Sequence, residues 1–330
     1  MDAVDSPDRA PAIGMCFDRS FPAAEVTAFA RRLEEGGVDQ LWVIEDCFYT
    51  AGVSLAAAAL AVTERLQVGL GILPAVARNP AVTAMEIATL AGLAPGRVLA
   101  GIGHGVQEWM AQMGARTPSP VTTLGEVLEA VRRLLAGERL TFEGDHVRLD
   151  DVALEHPPDP APPVLAGVRG PRSLEMAGRA ADGLVLADPG TPAHCRSALA
   201  AAGRTGAAAD DFHVAVFATL CVDRDRRSAY AAMAPWLAGM LADPNPGLRS
   251  MACFDDLAAR FAADGAGGLV DVPVEWWREI GPIGTLDDAV AHIGDLVDAG
   301  AHSVALFPAP DLDVARTQLD DVVAIAAALR

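Results

Sequence analysis

Short apolar runs alternate with stretches of helical periodicity along most of the 330-residue chain. The run Ala12–Phe17 predicts a strand, and apolar residues then recur from Val26 to Leu33 at the spacing of one helix face. The same alternation predicts seven more strands, at 40–44, 66–72, 97–102, 164–166, 183–187, 213–222 and 301–308. Eight strands separated by helices indicate parallel βα units.

The strands read as continuous apolar runs, as expected when helices cover both faces of a parallel sheet. A doubly wound sheet and a barrel both fit this pattern, and the count of eight favours an α/β fold of the (β/α)8 TIM barrel class. We expect one domain over residues 1–330. A Pro- and Gly-rich segment at about 235–282 predicts an irregular, lid-like insertion between strand seven and its closing helix, with Trp276 and Trp277 packed inside it.

A second interruption precedes strand five. Thr123 and Glu126 have the spacing of a capping box and predict the start of a helix. Farther on, Gly144 and Asp145 stand between two alternating runs and predict a hairpin within 139–149.

Composition narrows the classes of function. The 25 cations are all Arg, the 44 acidic residues give a net charge of −19, and 52% of residues are hydrophobic. Such a chain is too apolar to be disordered and too acidic to present a basic face to nucleic acid or anionic lipid. Without a Lys, Schiff-base and P-loop chemistry are excluded.

The same residues predict a compartment. The start, MDAVDSPDRAPAIG, lacks a basic segment followed by an apolar core, so we expect no secretory signal. The most apolar stretch, 51–62, is well short of the ~20 residues that cross a bilayer. Five widely spaced cysteines without a CxxC pair suit reduced thiols, and we expect a cytoplasmic protein.

Active sites of such barrels form where the strands end. The strand-four loop carries three glycines and a histidine, namely Gly101, Gly103, His104 and Gly105. Val106 stands where a GxGxxG motif needs its third glycine, so the Rossmann signal is weak. Glycines there let the backbone approach a flat ligand, although a plain tight turn fits too.

The strand-five loop predicts an anion site and consists of Gly167, Val168, Arg169, Gly170, Pro171 and Arg172. Proline suits the first helical position, and free N–H groups and the helix dipole attract phosphate. The two arginines add forked donors. A solvated Arg pair at a helix start is the alternative interpretation.

Candidates for proton transfer follow other strands. Glu45 and Asp46 follow strand two, and because side chains alternate along a strand we expect only one to face the site, as a general acid or base. A structural ion pair is the alternative. His104 is either an acid–base group, a ligand donor or a turn residue. Strands one and six end at Asp18 and Asp188.

Metal and nucleophilic chemistry are not predicted. The seven histidines show no HxxH or HExxH spacing, so we expect no metal site. Cys47 has no indicated His partner and is interpreted as an ordinary packed cysteine.

These segments in this order resemble the luciferase-like monooxygenase superfamily, and within it the branch that uses coenzyme F420, which includes methylenetetrahydromethanopterin reductase. The matching segments are GGVDQLWVIED (36–46), ERLQVGLGILPAVARNPAVTAMEIATLAGLAPGRVLAGIGHG (64–105), LLAGE (134–138), VLAGVRGPRSLEMAGRAADGLVL (164–186) and PIGTLDDAV (282–290). They span nearly the whole chain, and their ordered set is more specific than any one of them.

The resemblance implies an α/β barrel with a flavin-like ring at the strand ends. It implies a cis peptide at Gly71–Ile72 in a bulge behind that ring, ring contacts from the strand-four glycines, and a phosphate held by residues 167–171. Two departures stand out. Many relatives end strand two with Asp-His where this chain has Glu45 and Asp46, and reductases often carry an acid where Val106 stands, with Glu108 nearby.

Three functions follow as expectations. The first is an F420-dependent oxidoreductase that moves hydride between the deazaflavin and a small organic substrate, with Glu45, Asp46 or His104 handling the proton. The second is an FMN-dependent monooxygenase of the same superfamily. The third is a barrel without catalysis that serves as a binding protein. The resemblance also implies a homodimer, for which the Ala-rich helix surface 54–62 is suited.

Overall fold

The computed structural model describes residues 10–187, 189–209 and 211–330. Asp188, expected at the end of strand six, lies outside the described residues. Their strands, in chain order, are β1 (Ala12–Phe17), β2 (Gln40–Val43), β3 (Gln67–Pro74), β4 (Val98–Gly103), β5 (Leu140–Glu143), β6 (Arg148–Val152), β7 (Val164–Gly167), β8 (Gly183–Leu186), β9 (His213–Thr219), β10 (Cys221–Val222), β11 (Ile283–Gly284) and β12 (Ser303–Phe307).

The α-helices of the same residues are α1 (Val26–Glu35), α2 (Gly52–Leu60), α3 (Pro80–Leu93), α4 (Gln107–Gln112), α5 (Pro120–Leu135), α6 (Pro171–Ala180), α7 (Pro192–Ala201), α8 (Arg226–Ala242), α9 (Pro246–Arg249), α10 (Phe254–Leu269), α11 (Val274–Ile280), α12 (Leu286–Asp298) and α13 (Leu312–Ala328). Short 3₁₀ turns lie at Ala23–Glu25 and Gly206–Ala209. Among these helices, none is long and apolar enough to cross a membrane.

Eight parallel strands close into a barrel in the order β1-β12-β9-β8-β7-β4-β3-β2. This confirms the (β/α)8 TIM barrel and excludes the doubly wound sheet. The strand bounds agree with the apolar runs because these strands are buried on both faces, as in β4, where all six residues are buried.

Trp42 fills the barrel interior. Its ring lies against Phe217 in an edge-to-face arrangement with centroids 5.2 Å apart. Its Nε1 donates to Gln40 Oε1 at 2.9 Å, and the Gln40 amide donates in turn to Gln67 Oε1 at 3.1 Å. A Cβ at Gly69 would stand 2.2 Å from the Trp42 ring, so a glycine is needed there for space. A large aromatic residue is thereby buried with its polar atom satisfied.

The capping-box prediction is wrong. Helix α5 begins at Pro120, because proline is favoured at the first helical position, and Thr123 lies inside the first turn. The Glu126 carboxylate instead accepts the backbone N–H groups of Asp145, His146 and Val147 at 2.7, 2.9 and 2.8 Å. These amides belong to the turn between β5 and β6, whose antiparallel pairing confirms the predicted hairpin. Glu126 therefore fastens the hairpin to the helix.

The insertion differs from the expected irregular loop. It consists of the four helices α8 to α11 and begins at Arg226, about ten residues earlier than predicted. Helical periodicity was obscured by Pro235 inside α8 and by Gly265, whose φ of 62° breaks α10. The predicted strand 213–222 also divides, since β10 leaves the barrel to pair with β11.

The insertion has a hydrophobic core separate from that of the barrel. The Trp277 ring is buried there, stacks on Tyr230 with centroids 4.9 Å apart, and donates its Nε1–H to the Leu269 carbonyl at 3.0 Å. Trp276 is half-buried beside it. Packing of the two tryptophans within the insertion, as predicted, is therefore confirmed.

Candidate active site

A cavity of about 860 Å³ opens where the barrel strands end. Its walls come from the loops after β1, β2, β3, β4 and β7 and from the insertion. The lining residues are Asp18, Arg19, Ile44, Glu45, Asp46, Gly71, Ile72, Pro74, His104, Gly105, Val106, Trp109, Gly167, Val168, Arg169, Gly170, Ser173, Val185, Ala187, Phe217, Met240, Asp243, Pro244, Asn245 and Phe307.

A bulge in β3 forms the floor of the cavity. The pairing with β4 shifts register between Leu70 and Leu73, and the Gly71–Ile72 peptide is cis, as the resemblance implied. The Ile72 side chain lies over three glycines of the neighbouring strands. A Cβ would stand 3.0 Å from Ile72 at Gly101, 2.8 Å at Gly103 and 2.6 Å at Gly167.

This packing divides the predicted glycines into two groups. Gly101 and Gly103 are buried beneath Ile72 and do not line the cavity. Because they lack a Cβ, they leave space for the side chain at the bulge. Gly105 does line it, with φ at +69°, a left-handed conformation that favours glycine. A ligand in the cavity can therefore contact Gly105 directly. Gly101 and Gly103 can affect such a ligand only through the position of Ile72.

The loop after β7 and the start of α6 form one wall of the cavity, which we name the anion wall because a helix start favours anions. Gly167, Val168, Arg169 and Gly170 line the cavity, and α6 begins at the next residue with Gly170 as its cap. The N–H groups of a first helical turn have no partner within the helix. With the positive end of the helix dipole, they suit a phosphate.

Only one of the two predicted arginines faces this wall. Pro171 and Arg172 do not line the cavity, and Arg172 lies in the outer groove between α5 and α6. Successive residues of a helix point about 100° apart, which turns Arg172 away from Gly170. Arg169 is therefore the arginine that lines the cavity at this wall. The pKa of the nearby His194 is lowered first by burial and second by the Arg169 charge.

His104 is joined to the same wall. Its Nε2 lies 3.0 Å from the Ser173 hydroxyl, on the first turn of α6. Burial lowers the pKa of His104, and the Pro120 backbone opposes that effect only in part. The imidazole is therefore neutral at pH 7 and carries one N–H donor and one acceptor.

Glu45 is held in a structural ion pair. Its two oxygens accept Nη1 and Nη2 of Arg78 at 2.5 and 2.8 Å, and Oε2 also accepts the Gly52 N–H at 2.8 Å. The side chain of Glu45 is only 10% exposed and that of Arg78 19%. The ion-pair alternative describes this residue, although one side of Glu45 still touches the cavity.

Asp46 pairs with Arg19. The Nη1–Oδ2 distance is 2.5 Å, and the Arg19 guanidinium lies over the Tyr49 ring at 5.0 Å and near the Trp109 ring at 5.9 Å. Both Glu45 and Asp46 line the cavity, so the expectation that only one would is wrong. Strand β2 ends at Val43, and the alternation of a strand does not extend into the loop.

Two further predictions concern sulfur and metal. Cys47 does not line the cavity, and burial followed by the Glu45 charge raises the pKa of its thiol, which disfavours the nucleophilic thiolate. In the part of the chain that the structure describes, no three His, Cys, Asp or Glu side chains converge as metal ligands do.

Several lining residues had no place among the predicted site residues. Arg19 directly follows the strand-one end at Asp18, and this position was a usable signal. Ser173 lies at the third position of the predicted helix start, which was another. Met240, Asp243 and Asn245 come from the insertion, and nothing in their sequence placed them at the cavity.

Comparison with known proteins relates the whole chain to one family. The sequence model described as luciferase-like monooxygenase matches residues 4–303. The 5,10-methylenetetrahydromethanopterin reductase of Methanolobus tindarius is 29% identical over 303 residues, which are 88% of this chain and 92% of that protein. The F420-dependent glucose-6-phosphate dehydrogenase of Amycolatopsis mediterranei is 28% identical over 323 residues, covering 92% and 94%.

Among solved structures, the coenzyme F420 dependent tetrahydromethanopterin reductase from Methanopyrus kandleri has the same fold, with a TM-score of 0.78 at 20% identity over 98% of this chain and all of that one. The family match covers well over half of the chain, and the two relatives cover nearly all of it. The protein belongs to the luciferase-like monooxygenase family and, like these relatives, is an oxidoreductase.

Proposed function

We propose that the protein is an F420-dependent oxidoreductase that transfers hydride between the deazaflavin and a small organic molecule. One observation carries the proposal: a single cavity joins an anion-binding helix start to the β3 bulge, in a chain that resembles F420-dependent enzymes along nearly its full length. The anion wall suits the phosphate of the coenzyme, and the bulge offers a flat surface for its ring.

The residues fit the coenzyme in two places. The loop Gly167–Gly170 and the first turn of α6 would hold the phosphate, with Arg169 as a charged donor. Ile72, held rigidly by the glycines beneath it, would support one face of the ring. The bound deazaflavin supplies or accepts the hydride, while the protein orients the substrate and moves the proton.

Two side chains are placed to handle that proton. His104 is the first candidate: its Nε2 lies 3.0 Å from the hydroxyl of Ser173, a cavity-lining residue, and Nδ1 is buried, so a proton would pass between substrate and imidazole through that hydroxyl. Asp46 is the second candidate, because its Arg19 partner would hold the carboxylate at the cavity wall. Glu45 acts as a positioning residue, since its oxygens are already occupied by Arg78 and Gly52.

The test is a titration of the apo protein with F420 and with FMN. We expect F420 to bind and Arg169→Gln to weaken it at least about tenfold, the equivalent of one lost charged hydrogen bond. Arg172→Gln is the matched control, because it removes the same charge from the outer groove. Absence of F420 binding at high micromolar concentration would overturn the proposal, and binding of FMN alone would support the monooxygenase instead.

We further propose a cytoplasmic homodimer. All five cysteines lie within the residues that the structure describes and are free thiols, which suits a reducing compartment. On α3, Met85 and Leu93 are 53% and 67% exposed, and the Ala-rich helix α2 packs beside α3. Light scattering with Met85→Glu tests the dimer: we expect the native protein to have twice the mass of one chain and the variant to dissociate.

A further inference from the structure

The anion wall and the loop after β1 lie on opposite sides of the cavity. In the closed barrel, β1 and β7 are four strands apart in either direction. Asp18 and Arg19 follow β1, whereas Gly167–Gly170 follow β7. A coenzyme phosphate seated at the β7 loop leaves the β1 side, and β2 next to it, for the substrate. This inference rests on the proposed function.

Carboxylates dominate that remaining side. Asp18 and Asp46 line it, and Asp243, from the insertion, lines the same cavity. The Asp18 carboxylate is held in place, since Oδ1 accepts the N–H and the hydroxyl of Ser20 at 2.8 and 2.6 Å. Three carboxylates of the cavity lining therefore lie outside the β7 loop.

Little positive charge opposes them. Of the cavity-lining residues that the structure describes, Arg19 and Arg169 are the arginines, and the chain contains no Lys. Arg169 belongs to the β7 loop, and the Arg19 charge is balanced by Asp46 at 2.5 Å. Glu45 pairs with Arg78, which also pairs with Glu86. Outside the β7 loop, the cavity lining thus keeps the uncompensated charges of Asp18 and Asp243.

We propose that the substrate is an uncharged or positively charged molecule and that the cavity excludes phosphate esters and other polyanions. Two uncompensated charges at roughly 8 Å weaken the binding of a dianion by on the order of tenfold at physiological salt. A phosphate on the substrate would also need a forked or helical donor set like that of the β7 loop. The chain therefore differs in substrate class from its glucose-6-phosphate dehydrogenase relatives.

The experiment measures the charge of the cavity with small quenchers. Fluorescence of F420 bound to the protein is quenched with iodide, caesium and neutral acrylamide at constant ionic strength, and each constant is normalised to free F420. We expect the caesium constant to exceed the iodide constant at least about threefold. Asp18→Asn and Asp243→Asn should each raise iodide quenching, whereas Asp313→Asn, at an exposed residue outside the cavity lining, should not.

The proposal is overturned if iodide and caesium quench equally, or if Asp18→Asn and Asp243→Asn leave the iodide constant unchanged. Turnover of glucose 6-phosphate by the F420-loaded enzyme would also overturn it. Failure of F420 to bind would overturn the proposed function instead. In that case the fluorescence of Trp109, which lines the cavity, is measured as the difference between the native protein and Trp109→Phe. Its quenching by iodide and caesium then reports the charge of the cavity without F420. The two failures are thereby distinguished.

Discussion

The guanidinium of Arg78 holds both carboxylate oxygens of Glu45, at 2.5 and 2.8 Å. The pair joins the loop after β2 to the loop after β3 at the edge of the active-site cavity. Since most of this pair is buried, the carboxylate is committed to structure rather than to proton exchange.

Removal of this carboxylate should therefore destabilise the protein. We expect Glu45→Gln to lower the free energy of unfolding by about 2 kcal/mol, because it removes the carboxylate that accepts both terminal nitrogens of the largely buried Arg78 and leaves Glu86, at 2.9 Å from Nε, as the remaining ion-pair partner of Arg78. Urea unfolding measures the loss. Glu138→Gln, which breaks an exposed pair with Arg133, should cost less than about 1 kcal/mol. A Glu45→Gln enzyme whose pH–rate profile loses a limb would show that the residue exchanges protons after all.

The glycines beneath Ile72 make a second prediction. The three heavy atoms nearest to a Cβ at Gly167 all belong to the Ile72 side chain, the first at 2.6 Å, whereas the nearest atom to a Cβ at Gly101 is the Leu70 carbonyl oxygen at 2.3 Å. Both Ala variants should lose stability and F420 affinity. Adding Ile72→Ala should restore part of the stability to Gly167→Ala but not to Gly101→Ala, because the backbone of Leu70 does not move away.

Thermal unfolding of the four variants and of Gly92→Ala as control measures this difference. Nothing lies within 4 Å of a Cβ at Gly92, so that change should not destabilise the helix. Equal rescue of both glycine positions by Ile72→Ala would contradict the packing described for the bulge.

The Glu126 contact makes a third prediction. Three backbone N–H groups hold the pKa of this carboxyl below its ordinary value against the opposing effect of burial. We expect Glu126→Ala to speed hydrogen exchange of the amides of residues 145–147 about tenfold or more, with a smaller effect elsewhere. Glu129→Ala, on the same helix, is the control. Unchanged protection of the three amides would show that the hairpin holds without Glu126.

Buried His292 makes a prediction about acid stability. Burial lowers the pKa of His292 to about 4, although Nδ1–H donates to the Arg278 carbonyl at 2.6 Å. In the unfolded chain the imidazole binds a proton near pH 6.5. The contribution of the neutral imidazole to the free energy of unfolding is therefore fully present above that pH and is lost as the pH falls through about 4. The unfolding free energy should decline by about 1.4 kcal/mol per pH unit from this residue.

Unfolding in urea between pH 7 and pH 4 measures that slope. His292→Gln keeps a donor for the Arg278 carbonyl and does not titrate, so its stability should depend less on pH over the same interval. His146→Gln, at an exposed histidine, is the matched control and should follow the native protein. A native slope equal to that of His292→Gln would contradict a buried neutral imidazole.

The barrel was predictable because each strand is buried on both sides. Such burial requires a continuous run of apolar residues, which is visible in the sequence. The start of α5 was misplaced because two helix-start signals lay three residues apart, and Pro120 outweighed Thr123. The helices of the insertion were missed because Pro235 and Gly265 interrupt segments that are nonetheless helical.

The site was predictable only where one loop supplies it. The run from Gly167 to Gly170 lies against the cavity because a strand end and a helix start are adjacent in the chain. The Glu45 partner is 33 residues away, and no local pattern connects Arg78 to it. The orientation of Arg172 and the arrival of Asp243 also depend on packing between distant segments, which a single sequence does not reveal.

The separate core of the insertion has a consequence for how the protein can be altered. Met240, Asp243 and Asn245 line the cavity, and the helices of the insertion share a hydrophobic core, with Trp277 and Tyr230, that is distinct from the barrel core. The floor of the cavity, by contrast, is built from barrel strands in which Gly101, Gly103 and Gly167 have no room for a Cβ. We therefore expect that exchanging residues 226–280 as one unit would change the side chains that the insertion contributes to the cavity and leave the packing of the barrel strands beneath it unchanged.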